Sequence, residues 1–347
     1  MLIKPDVNKF AKIKVLGLGG GGTNALNSMI SQAQIQGVDF VAVNTDQQHL
    51  LASVAQTKVQ IGDGITKGLG AGADPEIGRR AAEESLERIK EVITGADMAF
   101  LTYGAGGGTG TGGGPIIADL ARKMGILTVA VITKPFAFEG TRRMIVADEG
   151  IENLRDKVDT LIVIPNQKLL EVVDKNVPLL EAFKLADSIL AQGVQGISDI
   201  IVMPGLINVD FADVKTIMSD GGVSLIGVGE SDSAQRAHEA VERALNNPLL
   251  DVDISNATGA LVNIIGGPDL SLEESKVVIE EIGKHLGDNA RLIWGAQISP
   301  DMEKTMRVMV IVTGVRSPQI LGSEVKQTKE EKVQGELSNE LGIKFFR

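Results

Sequence analysis

The segment Gly104-Ala-Gly-Gly-Gly-Thr-Gly-Thr-Gly-Gly-Gly114 sets two hydroxyls among glycines, directly after one apolar run and directly before another. Glycines accept positive φ and let the main chain approach an anion, so successive N–H groups converge into a nest completed by the positive end of the next helix. Thr109 and Thr111 add hydroxyl donors, and the chemistry this composition suits is phosphate binding. A second glycine run, Gly17-Leu-Gly-Gly-Gly-Gly22, satisfies G-x-G-x-x-G, and Asp46 follows at the distance of a ribose-binding acid. By itself that turn would suit a nicotinamide or flavin enzyme. Two glycine loops imply several phosphates and favour a nucleoside triphosphate. G-x-x-x-x-G-K-[ST] is absent, so the lysine-based phosphate loop is not used.

The elements that must hold these loops are legible from period and punctuation. Asp97–Thr102 has a strand pattern, and Pro115–Arg122 a helical one with Pro115 suited to the first turn. From Lys12 to Ile164, short β-branched runs at 13–18, 38–43, 99–102, 127–132 and 161–164 alternate with helical patterns, which predicts a parallel sheet covered by helices on both faces. Leu179, Phe183, Ala186, Leu190, Val194, Ile197 and Ile201 recur every three or four residues, predicting one long buried helix behind Pro178. Strand patterns at 223–228, 259–266, 291–298 and 306–315, with helical ones at 231–246 and 271–286, predict a second α/β unit with a smaller, mixed sheet. From Ser317 the chain turns polar and charged, then ends in Leu341-Gly-Ile-Lys-Phe-Phe-Arg347, which reads as a disordered segment with an apolar terminal peptide.

Composition narrows the chemistry. The 347 residues contain no cysteine, which excludes disulfides and thiolate chemistry and suits the reducing cytosol. No apolar run approaches the ~18 residues of a membrane helix, so the expectation is a soluble protein without direct membrane insertion. A net charge of −11, from 34 basic and 45 acidic residues, argues against a nucleic-acid surface. Phosphates must then be met by backbone dipoles and a cation. His49, His238 and His285 are scattered, and no metal-binding constellation is expected.

Gly106-Gly-Gly-Thr-Gly-Thr-Gly112 is similar to the signature of the tubulin and FtsZ family. Further segments resemble that family in order: Gly19-Gly-Gly-Gly-Thr-Asn24, Asn44-Thr-Asp46, Gly68 to Gly78, Lys134 to Gly140, Pro165-Asn166 and Gly205 to Asp213. The resemblance runs from about residue 10 to 316. It implies a Rossmann-like parallel-sheet GTPase domain joined by a long central helix to a smaller α/β domain. The implied divisions are an extension at 1–11, a GTP-binding domain at 12–178, the central helix at 179–203, a C-terminal domain with a catalytic loop at 204–316, a linker at 317–338 and a partner-binding peptide at 339–347. It further implies a cytoplasmic, self-assembling GTPase that polymerises head to tail in the bacterial division ring at mid-cell.

For the nucleotide, GTP or GDP, the resemblance implies contacts from Gly19, Gly20, Gly21, Gly22, Asn24, Asn44 and Asp46, then Gly70, Ala71, Gly72 and Ala73. Gly106, Gly107, Gly108, Thr109, Gly110, Thr111 and Gly112 hold phosphate, and Glu139 and Arg143 reach the ribose and nucleotide. Asp187 lies four residues after Phe183, on one helical face. A carboxylate there could accept both guanine donors while the phenyl ring stacks on the base, with Asn24 and Asn166 offering amides. Asn208, Asp210 and Asp213 are implied to be catalytic. A helix of about 24 residues spans some 36 Å, so this loop would serve the γ-phosphate of a neighbouring subunit, where two carboxylates orient and deprotonate a water. Mg²⁺ would be held mainly by the nucleotide's phosphates. The terminal peptide, with Leu341, Ile343 and Phe346, loosely resembles the family's tail that binds membrane tethers and regulators. Tyr103, Gly113, Gly114 and Thr23 depart from the family pattern, and the expectation is that they alter the surroundings of the phosphates. Two readings stand beside the GTPase: a nucleotide-gated scaffold with negligible hydrolysis, and a dinucleotide-binding oxidoreductase.

Overall fold

The computed structural model describes residues 11–33, 35, 37–170, 178–203, 205–250 and 254–315. The expectations placed on the first ten residues, on 317–338 and on 339–347 lie outside the described residues. Ten strands form one sheet: β1 Ile13–Leu18, β2 Val38–Asn44, β3 Thr57–Gln60, β4 Met98–Gly104, β5 Leu127–Lys134, β6 Thr160–Pro165, β7 Gly222–Ser231, β8 Gly259–Gly266, β9 Arg291–Ile298 and β10 Met306–Thr313, in the order β3-β2-β1-β4-β5-β6-β7-β10-β8-β9. β1 to β6 pair in parallel, as their near-continuous apolar runs demand when both faces are covered. β10 lies antiparallel between β7 and β8, and β9 closes the edge in parallel with β8.

The second half therefore extends the first half's sheet. Thr160, Leu161 and Ile162 pair with Gly222, Val223 and Ser224. β3, at the far edge, has no counterpart among the predicted strands. With only four residues, one of them buried, it carries too little pattern to be seen alone.

The helices are α1 Gly19–Ser28, α2 Gln47–Ala52, α3 Asp63–Thr66, α4 Pro75–Glu84, α5 Leu86–Ile93, α6 Thr109–Lys123, α7 Thr141–Arg155, α8 Asn166–Leu169, α9 Leu179–Val202, α10 Phe211–Met218, α11 Arg236–Leu245 and α12 Leu272–His285. One face of the sheet packs on apolar residues of α4 to α7, α11 and α12. The other packs on α1, α2, α9 and α10. α11 starts five residues after the predicted 231, because β7 continues to Ser231.

α9 presents Ala186, Leu190, Val194 and Ile197 to the core, each no more than 3 % exposed, so the predicted seam is real. Phe183, in the same seam, is 37 % exposed at the helix's first end. The helix spans both halves: a methyl on Gly193 would touch Val131 of β5 and Ile226 of β7, and one on Gly196 would overlap the sulfur of Met309 in β10.

α6 differs from its expected form. It starts at Thr109, six residues before Pro115, so the glycine run is itself the first two helical turns. Glycine costs about 1 kcal/mol per helical position relative to alanine, and close packing is what it permits here. A methyl on Gly112 would overlap the Pro75 carbonyl of α4, and one on Gly78 would overlap the Gly108 carbonyl. Gly112→Ala is therefore expected to lower stability by about 1–3 kcal/mol through overpacking. Gly283→Ala, on an exposed position of α12 with open space around it, should raise stability by about 0.5–1 kcal/mol. Thermal midpoints of the two variants moving in the same direction would refute this account of α6.

Candidate functional site

At the carboxyl ends of β1, β2 and β4 the two glycine loops meet. A methyl on Gly19 would lie 3.1 Å from Thr109 Cβ, and one on Gly21 would lie 3.2 Å from the Gly104 nitrogen. Thr45 and Thr109 share a hydroxyl hydrogen bond of 2.7 Å, which ties the Asn44–Asp46 turn to the start of α6. Gly106 sits at φ +89, a conformation that favours glycine, and its N–H donates to the Thr111 hydroxyl at 3.0 Å. Thr111 thus shapes the loop from within.

The 68–74 loop closes from the side. Gly70 N–H donates to the Thr45 carbonyl at 3.2 Å, and Asp46 pairs with Leu69 in an isolated bridge. A methyl on Gly108 would come within 2.8 Å of Ala71 Cβ. Ala73 is held at φ +60, a strained conformation for a residue with a Cβ. Gly72 and Ala73 are exposed, facing away from the packed seam. Gly107, Gly110 and Gly112 complete the α6 end, the last two turned toward the core.

On the other flank, Glu139 accepts the Phe136 N–H at 2.8 Å and pairs with Arg143 at 3.0 Å. The expected i,i+4 pair is formed, and the Arg143 side chain lies against Gly106, where a methyl would stand 2.7 Å from its Cγ. Phe136 stacks on Phe138 at 5.0 Å, and both meet Phe183 edge-on, at 5.4 and 6.4 Å. The sequence reading did not single out Phe136 and Phe138; only their place in Lys134–Gly140 could have pointed to them. Asn24 is exposed on α1, which packs on α9.

Two buried amide groups here lack hydrogen-bond partners: Asn44 Nδ2 and Asn166 Oδ1, on residues 2 % and 4 % exposed. Leaving a buried polar atom unpaired costs about 1–3 kcal/mol, and a bound polar ligand would satisfy both. Burial pushes the Asp187 carboxyl up to about 6. Asp199, further along α9, is raised to about 6 by burial, which outweighs a hydrogen bond with Gln195.

Asn208, Asp210 and Asp213 follow the end of α9 that carries Asp199, opposite the end that carries Phe183 and Asp187. Gly205 N–H donates to Asn208 Oδ1 at 2.7 Å, and the loop is pinned to β9 by the Ile207–Ala296 bridge. Asp210, rather than Asp213, occupies the N-cap of α10, and its side chain makes no capping bond. Both carboxylates are exposed.

Tyr103 acts on the surroundings of the α6 glycines from beneath, within the core. Its side chain points into the core, 1 % exposed, and its ring lies across α6. Methyls on Gly110 and Gly114 would meet the ring at 2.8 Å and 2.7 Å. Gly113 has room for a methyl, at 3.4 Å from Ala82 Cβ, so Gly114 and not Gly113 is tied to Tyr103. Thr23 is buried and donates to the Gly19 carbonyl at 2.8 Å, inside α1.

Two glycine loops that meet at the sheet's carboxyl edge, without a lysine-based phosphate loop, fit the tubulin class of nucleotide hydrolases. The family model described as Tubulin/FtsZ family, GTPase domain, matches residues 12–174, and FtsZ family, C-terminal domain, matches 222–316. The chain belongs to the FtsZ branch of the tubulin/FtsZ family and carries its GTPase domain. It is 52 % identical over 310 residues to Cell division protein FtsZ 1 of Archaeoglobus fulgidus, covering 89 % of this chain and 84 % of that one. It is 55 % identical over 308 residues to Cell division protein FtsZ of Coxiella burnetii, covering 88 % and 80 %. The empty FtsZ dimer of M. jannaschii superposes with a TM-score of 0.84 at 52 % identity, covering 88 % and 89 %. A GTPγS-bound CetZ2 protofilament from Haloferax volcanii shares the fold at 21 % identity, with a TM-score of 0.77 and coverage of 94 % and 99 %. The oxidoreductase reading of Gly17–Gly22 is thereby overturned. The glycine turn at β1 is common to both folds, and the second loop on α6 is what separates them.

Two outcomes follow from this geometry. The guanine contact expected of Asp187 would require its carboxylate form, and a raised carboxyl loses that form as pH falls through about 6. Affinity for GDP should therefore weaken by up to about tenfold per pH unit below 6, with a proton released on binding near pH 6, measured by calorimetry in buffers of different ionisation enthalpy. Asp187→Asn should bind weakly at every pH and release no proton. Tyr103→Phe removes a buried hydroxyl that has no partner. Its denaturation midpoint should stay level or rise by the equivalent of about 1 kcal/mol; a clear loss of stability would show that the hydroxyl is satisfied in solution.

Proposed function

We propose that this chain binds GTP between its two glycine loops, assembles head to tail, and hydrolyses the nucleotide with Asn208, Asp210 and Asp213 of the adjacent subunit. The observation that carries this reading is the separation of the two groups. Phe183 and Asp187 lie near the first end of α9, while the acids follow its last residue, and a helix of 24 residues rises about 36 Å. Both carboxylates are exposed and free of capping bonds, in a loop braced against β9. They are available to a second molecule and out of reach of their own site.

In a stacked pair, the loop of one subunit would lie over the phosphates of the next. Asp210 and Asp213 would orient a water on the γ-phosphate and take its proton, with Asn208 fixing the loop. Backbone N–H groups at the start of α6, the Thr109 hydroxyl and Arg143 would hold the phosphates of the ground state. Mg²⁺, bound mainly by those phosphates, supplies neutralising charge that a chain of net charge −11 lacks. The buried, unpartnered amides of Asn44 and Asn166 supply polar contacts for the nucleotide.

The relatives' names, cell division proteins from archaea and from a bacterium, support a place in the division ring inside the cell. No described helix is long and apolar enough to cross a membrane. Attachment would then fall to tethers and regulators that bind residues 339–347, as the sequence of that peptide suggests.

GTP turnover per subunit, measured against protein concentration with Mg²⁺ present, should be near zero and then rise above a threshold. The Asp210→Ala/Asp213→Ala double variant should lose about 10²–10⁴-fold in turnover while nucleotide binding and assembly persist. A constant nonzero rate at all concentrations, or unchanged turnover in the double variant, would overturn the division of the site between subunits.

A further inference from the structure

Of the three histidines, His238 lies 3.8 Å from Glu281 Oε1 and His285 Nδ1 contacts the Glu281 carbonyl at 3.0 Å. The imidazole of His49 has no hydrogen bond or ion pair among the described residues. Asp46 caps α2 and accepts the His49 backbone N–H at 3.0 Å, which fixes where the side chain leaves the helix. The ring then lies on the first glycine loop. A methyl built on Gly20 would stand 2.9 Å from His49 Cε1 and 3.0 Å from Nδ1.

The surroundings make that position informative. α1, whose second residue is Gly20, contains no charged residue, and neither glycine loop contains a lysine or arginine. Arg143 lies against the other loop and is engaged with Glu139. Anything held over Gly19–Gly22 meets backbone N–H groups and uncharged amide donors, and His49 is the imidazole whose ring lies directly against Gly20.

We propose that His49 is a nucleotide-contacting residue that donates a hydrogen bond to the polyphosphate of the bound nucleotide from above the first glycine loop. This rests on the reading that Gly19–Gly22 faces phosphate. The ligand class is a nucleoside di- or triphosphate, and the base plays no part. Hydrogen bonds to a charged oxygen are about twice as strong as neutral ones, so the contact separates phosphorylated from unphosphorylated nucleoside. It also adds to GTP affinity in a place where the sequence offers no lysine.

The test is equilibrium binding of GDP and of guanosine to the full chain at one pH, kept above 7 because Asp187 titrates near 6. In His49→Ala, GDP affinity should fall about tenfold while guanosine affinity is unchanged, and His49→Lys should restore most of the loss. In the wild type, GDP should shift one of the three imidazole Cε1–H resonances, the one missing from His49→Gln, and guanosine should leave it in place. Equal losses for GDP and guanosine, or no change for either, would overturn the proposal. A wild type that binds GDP no more tightly than guanosine would instead overturn the phosphate reading of the loop. The resonance experiment stands even where a variant fails to fold.

Discussion

The structure depends on a helix whose first six residues are only glycine and threonine. α6 can bring its first N–H groups to the site only because Gly108, Gly110, Gly112 and Gly114 let it sit against Ala71, the Pro75 carbonyl and the Tyr103 ring at van der Waals contact. That contact places the positive end of α6 against the first glycine loop, and the Thr45–Thr109 hydroxyl bond fixes the approach. The loss of helix propensity over the run is offset by packing that no larger residue would permit. Tyr103 and Gly114 are one feature in this sense, since the ring occupies the volume that a methyl at 114 would need.

A second constraint is length. α9 runs from Phe183 and Asp187 toward the loop of Asn208, Asp210 and Asp213 and packs on strands from both halves of a single sheet. Being continuous over 24 residues and buried along one face, it holds its two ends apart. In the proposed reading the GTPase site is thereby split between two faces that meet only when two copies stack. The exposed rings of Phe138 and Phe183 at one end, and the exposed Met203 and Leu206 at the other, mark these as faces of different character.

Much of this was legible because glycine, proline and acidic residues carry their own punctuation. Five of the six strands of the first half, the α9 seam and the phosphate character of Gly104–Gly114 follow from period and composition. The start of α6 did not, because Pro115 satisfies a first-turn rule whose competing outcome, a helix built on glycine, is decided by packing against α4. The direction of Tyr103 escaped for a related reason: in a parallel strand buried on both faces, alternation carries no polarity to tell core from site. His49 was not singled out because nothing near it in sequence says that Gly20 lies beneath its ring.

By itself the sequence determined what the chain can hold and how. Two glycine loops, the Phe183–Asp187 spacing and the acids at Asp210 and Asp213 are local patterns whose chemistry is set by residue type and helical period. Only the tertiary structure decided which of them share a site. The β6–β7 pairing makes one sheet of two halves, the glycine seam sets the position of α6, and burial raises the Asp187 carboxyl and leaves Asn44 and Asn166 unpaired. Those outcomes depend on contacts between residues far apart in the chain, where neither spacing nor propensity carries information.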